Sequence, residues 1–401
     1  MKRLILILLF VIALVNVSCE RRELVDIANT HYVRVYINED IKNVTTGFHE
    51  NAQVRPTYKS PEILHLLLAD PQTGKLKAER FLRTKKQDEK GTYYEGYIVA
   101  TPGQYDLIAY NWGTEVCIVS NYMDFNTSMV YTNEIAAHDR NGLSSDAMSA
   151  VKNAMEKVMQ KMMQRQMMTK GDEDSQTDKI VYDPDQFFLA NCGRVDVSYS
   201  SDIDTLRTPA GEYFMAESIV KSYYLQIPVI GIENHASLVG VLSGMAGSTW
   251  LGRSELNEQD PVAIYLELQQ GGDNPTGVVK SKEEPDASAE NDASDVVLDA
   301  AEGSSSGAVT MYTTFSTFGR LTDPETSFSL TFDFQILGGG VFTQTVDITE
   351  EFNSQLAKEK QWIILGMDKK IIVPDPQPGA GSGGFAPSVG GWEDIETDII
   401  L

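Results

Sequence analysis

The clearest strand signal in the sequence is the segment Phe328-Ser-Leu-Thr-Phe-Asp-Phe-Gln-Ile336, in which large apolar residues alternate with others. Successive side chains of a β-strand point to opposite faces, so this alternation predicts a strand with one buried face. Similar runs predict strands at 32–37, 63–68, 93–99, 105–110, 195–199, 220–232, 236–242, 262–268, 308–318, 341–348 and 362–373. Strands that recur with short turns between them predict a mainly β fold of antiparallel sandwiches.

Two turns are predicted between neighbouring strands. Thr101-Pro102-Gly103 follows the strand at 93–99, and it is turn chemistry because Pro presets φ and Gly tolerates a positive φ. Glu233-Asn234 is the predicted turn of a strand pair formed by 220–232 and 236–242. A short helix is predicted at 349–358.

The β pattern is interrupted at residues 145–170, where the sequence predicts a helical insertion. Polar residues at 144–146 offer an N-cap, and apolar residues recur at helical spacing from Met148 to Met162. Seven of the 14 methionines lie between Met148 and Met168. This methionine face has three interpretations. It packs on the sandwich, it fills a groove of a partner, or it offers thioether ligands to Cu(I).

The length predicts more than one domain. We expect an N-terminal β-sandwich domain at 31–215, which contains the insertion 145–170, and a C-terminal β-sandwich domain at 216–401. Residues 281–307 hold eight carboxylates, one lysine and no aromatic residue, a composition that predicts a disordered acidic loop. A calcium site is the alternative, although the spacing of a calcium-binding loop is missing.

The formal net charge of -24 excludes several function classes. A chain this acidic repels phosphate backbones, so nucleic acid is excluded as a partner. Ser243 lacks the G-x-S-x-G frame of a nucleophile elbow, and we interpret it as a turn residue. The histidines and cysteines show no zinc spacing. The sequence therefore predicts no catalytic residue, no metal site and no cofactor.

Residues 1–18 have the layout of an export signal. A short positive segment precedes an apolar run that is too short to span a bilayer, and Ser18 before Cys19 suits a lipoprotein signal peptidase. A lipid on Cys19 would hold the protein in the outer membrane through its buried methylenes, with 19–30 as a tether. A plain secretory signal is the alternative, because Asn16 stands where the usual lipobox has Leu.

Two other features are candidate sites. Cys117 and Cys192 either form a disulfide in an oxidising periplasm or act as small buried hydrophobes. A predicted strand near the C-terminus can complete its own sheet or that of another molecule. It presents four alternate residues on one face: Ile395, Thr397, Ile399 and Leu401.

Several motifs resemble segments of fimbrillin-like lipoproteins of the type V pilin superfamily, in a branch near the anchor subunits. In chain order they are Tyr32-Val-Arg-Val-Tyr-Ile37 after Cys19, Thr101-Pro-Gly-Gln-Tyr-Asp-Leu-Ile-Ala-Tyr-Asn111, Asp183-Pro-Asp-Gln-Phe-Phe-Leu-Ala190, Val241-Leu-Ser-Gly-Met-Ala-Gly247 and Gly383-Gly-Phe-Ala-Pro-Ser-Val-Gly-Gly-Trp392. The resemblance implies two transthyretin-like (Ig-like) β-sandwich domains, export as a lipoprotein, a place in surface fimbriae, and other fimbrial subunits as partners.

The resemblance also bears on the type of subunit. In polymerising members an arginine-specific protease removes the lipidated N-terminal segment, and a strand of the next subunit fills the groove that this opens. Here Arg21 and Arg22 precede the first predicted strand, so a cut there opens no groove. Arg34 lies inside that strand, and Arg55 is followed by a proline that blocks cleavage. We therefore expect the N-terminal segment to be retained, as in an anchor, accessory or minor subunit.

The alternative function is a surface lipoprotein that binds glycans on a host or bacterial surface. Trp112 and Trp250 lie next to turns and are the candidates for an exposed platform on which sugars stack. Their other interpretation is as loop aromatics packed on the sandwich. An exposed coplanar pair would favour glycan binding, whereas a groove for an extended strand would favour fimbrial assembly.

Overall fold

The computed structural model describes residues 29–38, 60–135, 142–164, 179–200, 202–267, 308–322 and 326–376. The predicted mainly β fold is confirmed. The strands are β1 (Asn29–Ile37), β2 (Ile63–Ala69), β3 (Leu76–Leu82), β4 (Thr84–Asp88), β5 (Gly91–Ala100), β6 (Gly103–Trp112), β7 (Cys117–Ser120), β8 (Met129–Thr132), β9 (Ile180–Tyr182), β10 (Phe188–Val197), β11 (Asp204–Thr205), β12 (Phe214–Ser218), β13 (Lys221–Ile230), β14 (His235–Ala246), β15 (Ser248–Trp250), β16 (Glu255–Leu256), β17 (Pro261–Glu267), β18 (Ala308–Thr317), β19 (Ser329–Ile336), β20 (Val341–Asp347), β21 (Trp362–Ile364) and β22 (Ile371–Ile372). The helices are α1 (Ser145–Gln164), α2 (Thr349–Asn353) and α3 (Gln355–Glu359).

The first sandwich is one sheet of nine strands that folds around a core of its own. Its order is β3-β2-β6-β10-β12-β1-β5-β4, and β11 also pairs with β1. Side chains from both halves of this order meet in one cluster, for example Val35 of β1, Leu66 of β2 and Leu107 of β6. The Thr101–Gly103 turn links β5 to β6 across this core, and the Tyr105 hydroxyl donates to the Thr101 carbonyl at 2.9 Å.

The second sandwich has two sheets, and their strand order contradicts one of the predicted strand pairs. β18-β13-β21, with β22 beside β13, packs against β20-β19-β14-β17-β9. The predicted buried face of β19 is confirmed, because Phe328, Leu330, Phe332 and Phe334 lie in the core. The predicted strand pair through Glu233-Asn234 is wrong: β13 and β14 belong to opposite sheets, and a 3₁₀ turn at Ile232–Asn234 carries the chain across the core.

Ser243 is likewise not in a turn. It lies in β14, and the register with β17 shifts between Ser243 and Met245. Gly244 sits in this β-bulge with φ 99°, and a Cβ there would come within 2.7 Å of the Ser327 carbonyl oxygen. The Leu-Ser-Gly-Met segment is therefore part of a strand. It needs glycine at position 244 because the bulge requires a positive φ and because the backbone at Ser327 leaves no room for a Cβ.

Helix α1 packs on the outer face of the second sandwich. Its buried residues are Ala147, Val151, Ala154, Met155, Val158, Met159 and Met162. Met155 and Met159 share a cluster with Val241 of β14 and Ala263 of β17. The described methionine face is thus part of the core, which favours the first of its three interpretations. Met167 and Met168 lie outside the described residues.

Strands and side chains join the two halves of the chain. β8 pairs with β15 in the small sheet β16-β15-β8-β7, and β9 pairs with β17. Tyr224 of β13 packs in the core of the first sandwich.

Residue 215 falls inside β12, and the division into two domains at this point stays a prediction. β1 begins two residues inside the predicted tether, and the acidic segment 281–307 lies outside the described residues.

Candidate strand slot

The most distinctive feature of the first sandwich is the placement of β1 in the middle of its sheet. β1 pairs antiparallel with β5 over eight residue pairs, from Asn29 with Ala100 to Tyr36 with Tyr93. Its other edge pairs in parallel with β11 and β12. We call the gap that β1 fills between β5 and these two strands the slot. A strand in this position uses both backbone edges, so its removal would leave unpaired groups on both neighbours.

Apolar side chains of β1 close the slot from the inside. Val33, Val35 and Ile37 are buried in the core of the first sandwich. His31 shares this inward alternation and is also buried, but neither of its ring nitrogens has a hydrogen-bond partner. Burial lowers the pKa of His31, and the nearby charge of Asp204 opposes this shift. The slot therefore accepts alternate apolar side chains, with one poorly satisfied position near its start.

Arg34 anchors the outer face of β1. Its guanidinium carbon lies 4.1 Å from the ring centroid of Tyr93 and 4.9 Å from that of Tyr213. It donates to the hydroxyl of Tyr36 at 3.2 Å and forms an ion pair with Asp88 at 3.4 Å. Cation–π stacking and charged hydrogen bonds together hold this side chain against the sheet. Arg34 is thus part of a folded strand, as the sequence predicted.

Neighbouring polar groups complete this outer face. The Tyr36 hydroxyl donates to Asp88 at 2.7 Å, and the Tyr32 hydroxyl donates to Glu95. Burial and the hydrogen bond to Glu95 raise the pKa of Tyr32 to about 12, so Tyr32 stays a neutral donor. Sequence reasoning missed Tyr93, Tyr213 and Asp88 because they lie far from β1 in the chain. The sequence signal for this polar outer face is the alternation of Tyr32, Arg34 and Tyr36 within β1.

The two candidate tryptophans do not form a pair. Trp112 is 43% exposed and packs beside Phe81 and His65, at centroid distances of 5.2 and 5.0 Å. Trp250 is half-buried, and the guanidinium of Arg253 lies 5.4 Å from its ring centroid. Each tryptophan has its own set of partners, so the coplanar platform that would favour glycan binding is not formed by these residues.

His65 organises the aromatic cluster beneath Trp112. It is buried, stacks on Phe81 with centroids 4.2 Å apart, and its Nε2 lies 2.8 Å from a carboxylate oxygen of Glu79. Its Nδ1 lies 2.9 Å from the Tyr110 hydroxyl, which donates to a neutral ring that itself donates to Glu79. Burial lowers the pKa of His65, and Glu79 opposes this shift.

The two candidate cysteines are free thiols in different clusters. Cys117 is buried with Leu67 and Phe125, and its Sγ lies 3.7 Å from the Asp185 carbonyl oxygen. Cys192 packs against the core of the first sandwich, and burial raises its pKa to about 11. The candidate disulfide is therefore not formed in this structure, and both residues act as small hydrophobes.

The remaining candidate residues lie outside the described part of the chain. These are Cys19 and the four tail residues Ile395, Thr397, Ile399 and Leu401. Within the described ranges, no group of three or more His, Cys, Asp or Glu side chains is placed to hold a metal ion. No helix among the described residues has the length and apolar character needed to cross a membrane.

Comparison with known proteins gives two sequence matches. Residues 71–267 match a family described as a domain of unknown function, DUF5119. The chain is also 22% identical over 193 residues to the "Putative fimbrium anchoring subunit Fim4B" of Bacteroides ovatus. This match covers 48% of the present chain and 45% of the relative, so it spans less than half of that protein.

Solved structures extend the similarity to the whole fold. A "putative adhesin" from Bacteroides ovatus superposes with a TM-score of 0.52 and 18% identity, covering 90% of this chain and 98% of its own. The fimbrial anchor protein Mfa2 from Porphyromonas gingivalis aligns over 84% of this chain and 88% of its own at 10% identity. Its TM-score is 0.39. The resemblance to fimbrillin-like proteins is confirmed.

Proposed function

We propose that this chain is a lipid-anchored cell-surface subunit of a fimbrium, of the anchor, accessory or minor class, with a structural rather than enzymatic role. The observation that carries the proposal is the slot already filled by β1. A subunit that keeps its own strand in the slot cannot accept a strand from a neighbour there, so it ends a polymer on that side. The contacts of Arg34 with Tyr93, Tyr213 and Asp88 support retention, because they oppose the cleavage that would open the slot. The sequence similarity to a fimbrium anchoring subunit supports this role.

The partners proposed are the outer membrane, through a lipid on Cys19, and other fimbrial subunits. A subunit with a filled slot still contributes to assembly by donating a strand. The predicted strand Ile395–Leu401 is the candidate donor, because a donated strand gains backbone hydrogen bonds from a sheet edge and specificity from alternate side chains. A host or bacterial surface ligand is a further partner that the cell-surface location allows.

The mature N-terminus tests the anchor role. We expect intact-mass and N-terminal analysis of protein purified from its native membrane to give a chain that starts at an acylated Cys19. A chain that starts after Arg34 would contradict the proposal, because most of β1 would then be missing and the slot would be open to another subunit.

Paired tail variants test strand donation. Ile399→Asp places a charge on the apolar face of the predicted strand, and Asp398→Asn changes the opposite face as a matched control. We expect Ile399→Asp to abolish incorporation of the next fimbrial subunit, measured by immunoblotting of sheared surface polymers, and Asp398→Asn to retain it. Normal incorporation in Ile399→Asp would exclude the tail as the donor strand.

A further inference from the structure

Four large apolar side chains are exposed at one end of the first sandwich. Tyr97 is 51% exposed, Val99 56%, Tyr199 64% and Ile203 60%. Ser198 and Asp202, next to Tyr199 and Ile203, are also exposed and are small or polar. We call these four residues the basal patch. Isolated exposed apolar residues are ordinary, but several that meet at one end of a domain indicate a contact surface.

Strand register places the basal patch where the described chain begins. Tyr97 is the β5 partner of Tyr32, and Val99 is the partner of Thr30. Ile203 directly precedes Asp204, which pairs with His31. Tyr199 lies two residues beyond Val197, which pairs with Gly103 in the turn that follows β5. All four residues therefore lie at the end of the sandwich where β1 starts.

The same end of the sandwich points away from the second half of the protein. β12 runs parallel to β1 and leads into β13 beyond the opposite end of the slot, near Ile37. β13 continues away to Ile230, where Val373 N–H donates to the Ile230 carbonyl at 2.9 Å. Exposed Ile372 marks this distal end.

We infer that the basal patch rests on the lipid surface of the membrane that holds the anchor. This inference depends on the proposed lipid at Cys19. Residues 19–28 connect that lipid to Asn29, and a chain of this length reaches at most about 35 Å. The sandwich is thus held close to the bilayer with the patch facing it.

The chemistry of the patch fits a lipid interface. Tyrosine places an apolar ring at the acyl boundary and a hydroxyl among the headgroups, while valine and isoleucine are buried in the apolar layer. Asp202 and Asp204 flank Ile203, so the surroundings of the patch carry negative charge. The favoured surface therefore consists of zwitterionic headgroups, because anionic lipids would be repelled.

A pair of spin-labelled variants tests the orientation. The acylated chain carrying Cys192→Ser is labelled with a nitroxide at Ile203→Cys, or at Ile372→Cys as the matched distal control, and is reconstituted in phosphatidylcholine vesicles. Collisions with oxygen report lipid contact, and collisions with a water-soluble nickel complex report water contact. We expect the oxygen-to-nickel ratio at residue 203 to rise several-fold on reconstitution and the ratio at residue 372 to stay unchanged.

Other outcomes separate this inference from the proposed function. An acylated chain whose label at residue 203 stays in water overturns the lipid contact and leaves the anchor role intact. A label shielded from both reagents, with a dimer in sedimentation, means that a second copy covers the patch and also overturns it. A chain that is not acylated overturns both proposals together.

Discussion

At Asp333 a carboxylate is buried beneath the N-terminus of helix α1. It accepts hydrogen bonds from the Ser144 backbone N–H and hydroxyl, both at 2.7 Å, and from the Thr343 hydroxyl at 2.8 Å. The Ser144 hydroxyl in turn accepts from the N–H of Ala147, which is the N-cap geometry. A single residue of β19 thereby fixes the start of the inserted helix on the second sandwich.

Replacement of Asp333 by Ala should destabilise the protein strongly. The change removes three hydrogen bonds and leaves buried donors unsatisfied, so we expect the free energy of unfolding to fall by roughly 3–5 kcal/mol. Denaturant unfolding measures this, with exposed Asp196→Ala as the control at less than about 0.5 kcal/mol. A loss below about 1 kcal/mol for Asp333→Ala would mean that the cap does not hold the helix.

Two buried histidines make stability depend on pH. Burial lowers the pKa of His65 and of His31 below the ordinary 6.5, so the unfolded chain binds protons at a pH where the folded chain does not. The free energy of unfolding is therefore at its full value above about pH 7 and falls as the pH drops through 6.5. Carboxylates with lowered pKa, such as Asp88, lose their stabilising effect only nearer their ordinary 3.8.

Substitution of each histidine should flatten this dependence between about pH 7 and pH 5. At pH 7.5 the two variants should differ in sign. His65→Gln loses bonds to Tyr110 and Glu79 and should be less stable by roughly 1–3 kcal/mol. His31→Leu removes an unsatisfied polar ring and should be more stable than the wild type. Denaturant unfolding across this range measures both, and an unchanged slope in both variants would contradict the prediction.

At the scale of the element, β1 should resist proteolysis. Its backbone is hydrogen-bonded on both edges, and Arg34 is held by Tyr93, Tyr213 and Asp88. A protease must pull the cleaved segment out of such a sheet, so cleavage requires local unfolding.

We expect an arginine-specific protease to leave the Arg34 bond of the native chain intact while it cuts at Arg253, which is exposed in a turn. Mass spectrometry of timed digests measures this, and the urea-unfolded chain should be cut at both sites. Tyr93→Ala removes one stacking partner and should speed cleavage at Arg34. Cleavage of the native wild type at Arg34 as fast as at Arg253 would exclude a stable slot.

The elements also show which parts of the fold are visible in the sequence. β19 and β1 were predictable because one face of each is apolar and alternates. β4 was missed since all five of its residues, Thr84–Asp88, are exposed and leave no apolar pattern. The false pairing of β13 with β14 has a related cause: β13 is buried along most of its length, so its pattern does not tell a hairpin from a crossover between sheets.

The positions of the elements relative to one another were harder to predict from the sequence than the elements themselves. The apolar stripe of α1 predicted a packed helix, but any sheet face would satisfy it, and Asp333 lies 189 residues from Ser144. The slot was only implied by resemblance, because the aromatic partners of Arg34 come from distant strands.

At the scale of the whole molecule, the two sandwiches should unfold together. β8 with β15, β9 with β17, and Tyr224 in the first core all cross between the halves. Because these contacts bury apolar surface of both halves, unfolding of one half would expose apolar surface of the other. The stability of each half therefore depends on the other half.

We expect a single calorimetric transition for the full chain. Tyr224→Ala should lower the stability of the whole by roughly 3–5 kcal/mol without splitting the transition, and exposed Tyr199→Ala should have little effect. A fragment of residues 29–218 should fail to fold, since its β8, β9 and α1 lose their partners. Two separate transitions would show that the halves are independent.

The central position of β1 also has a mechanical consequence. In the proposed anchor role, a tether that pulls on Asn29 against a load at the far end of the protein would apply tension along the axis of this strand. Its eight residue pairs with β5 are then loaded in shear, so they share the force and rupture together instead of peeling apart one by one. A strand that keeps the slot closed at rest is thus also placed to withstand drag from flowing liquid.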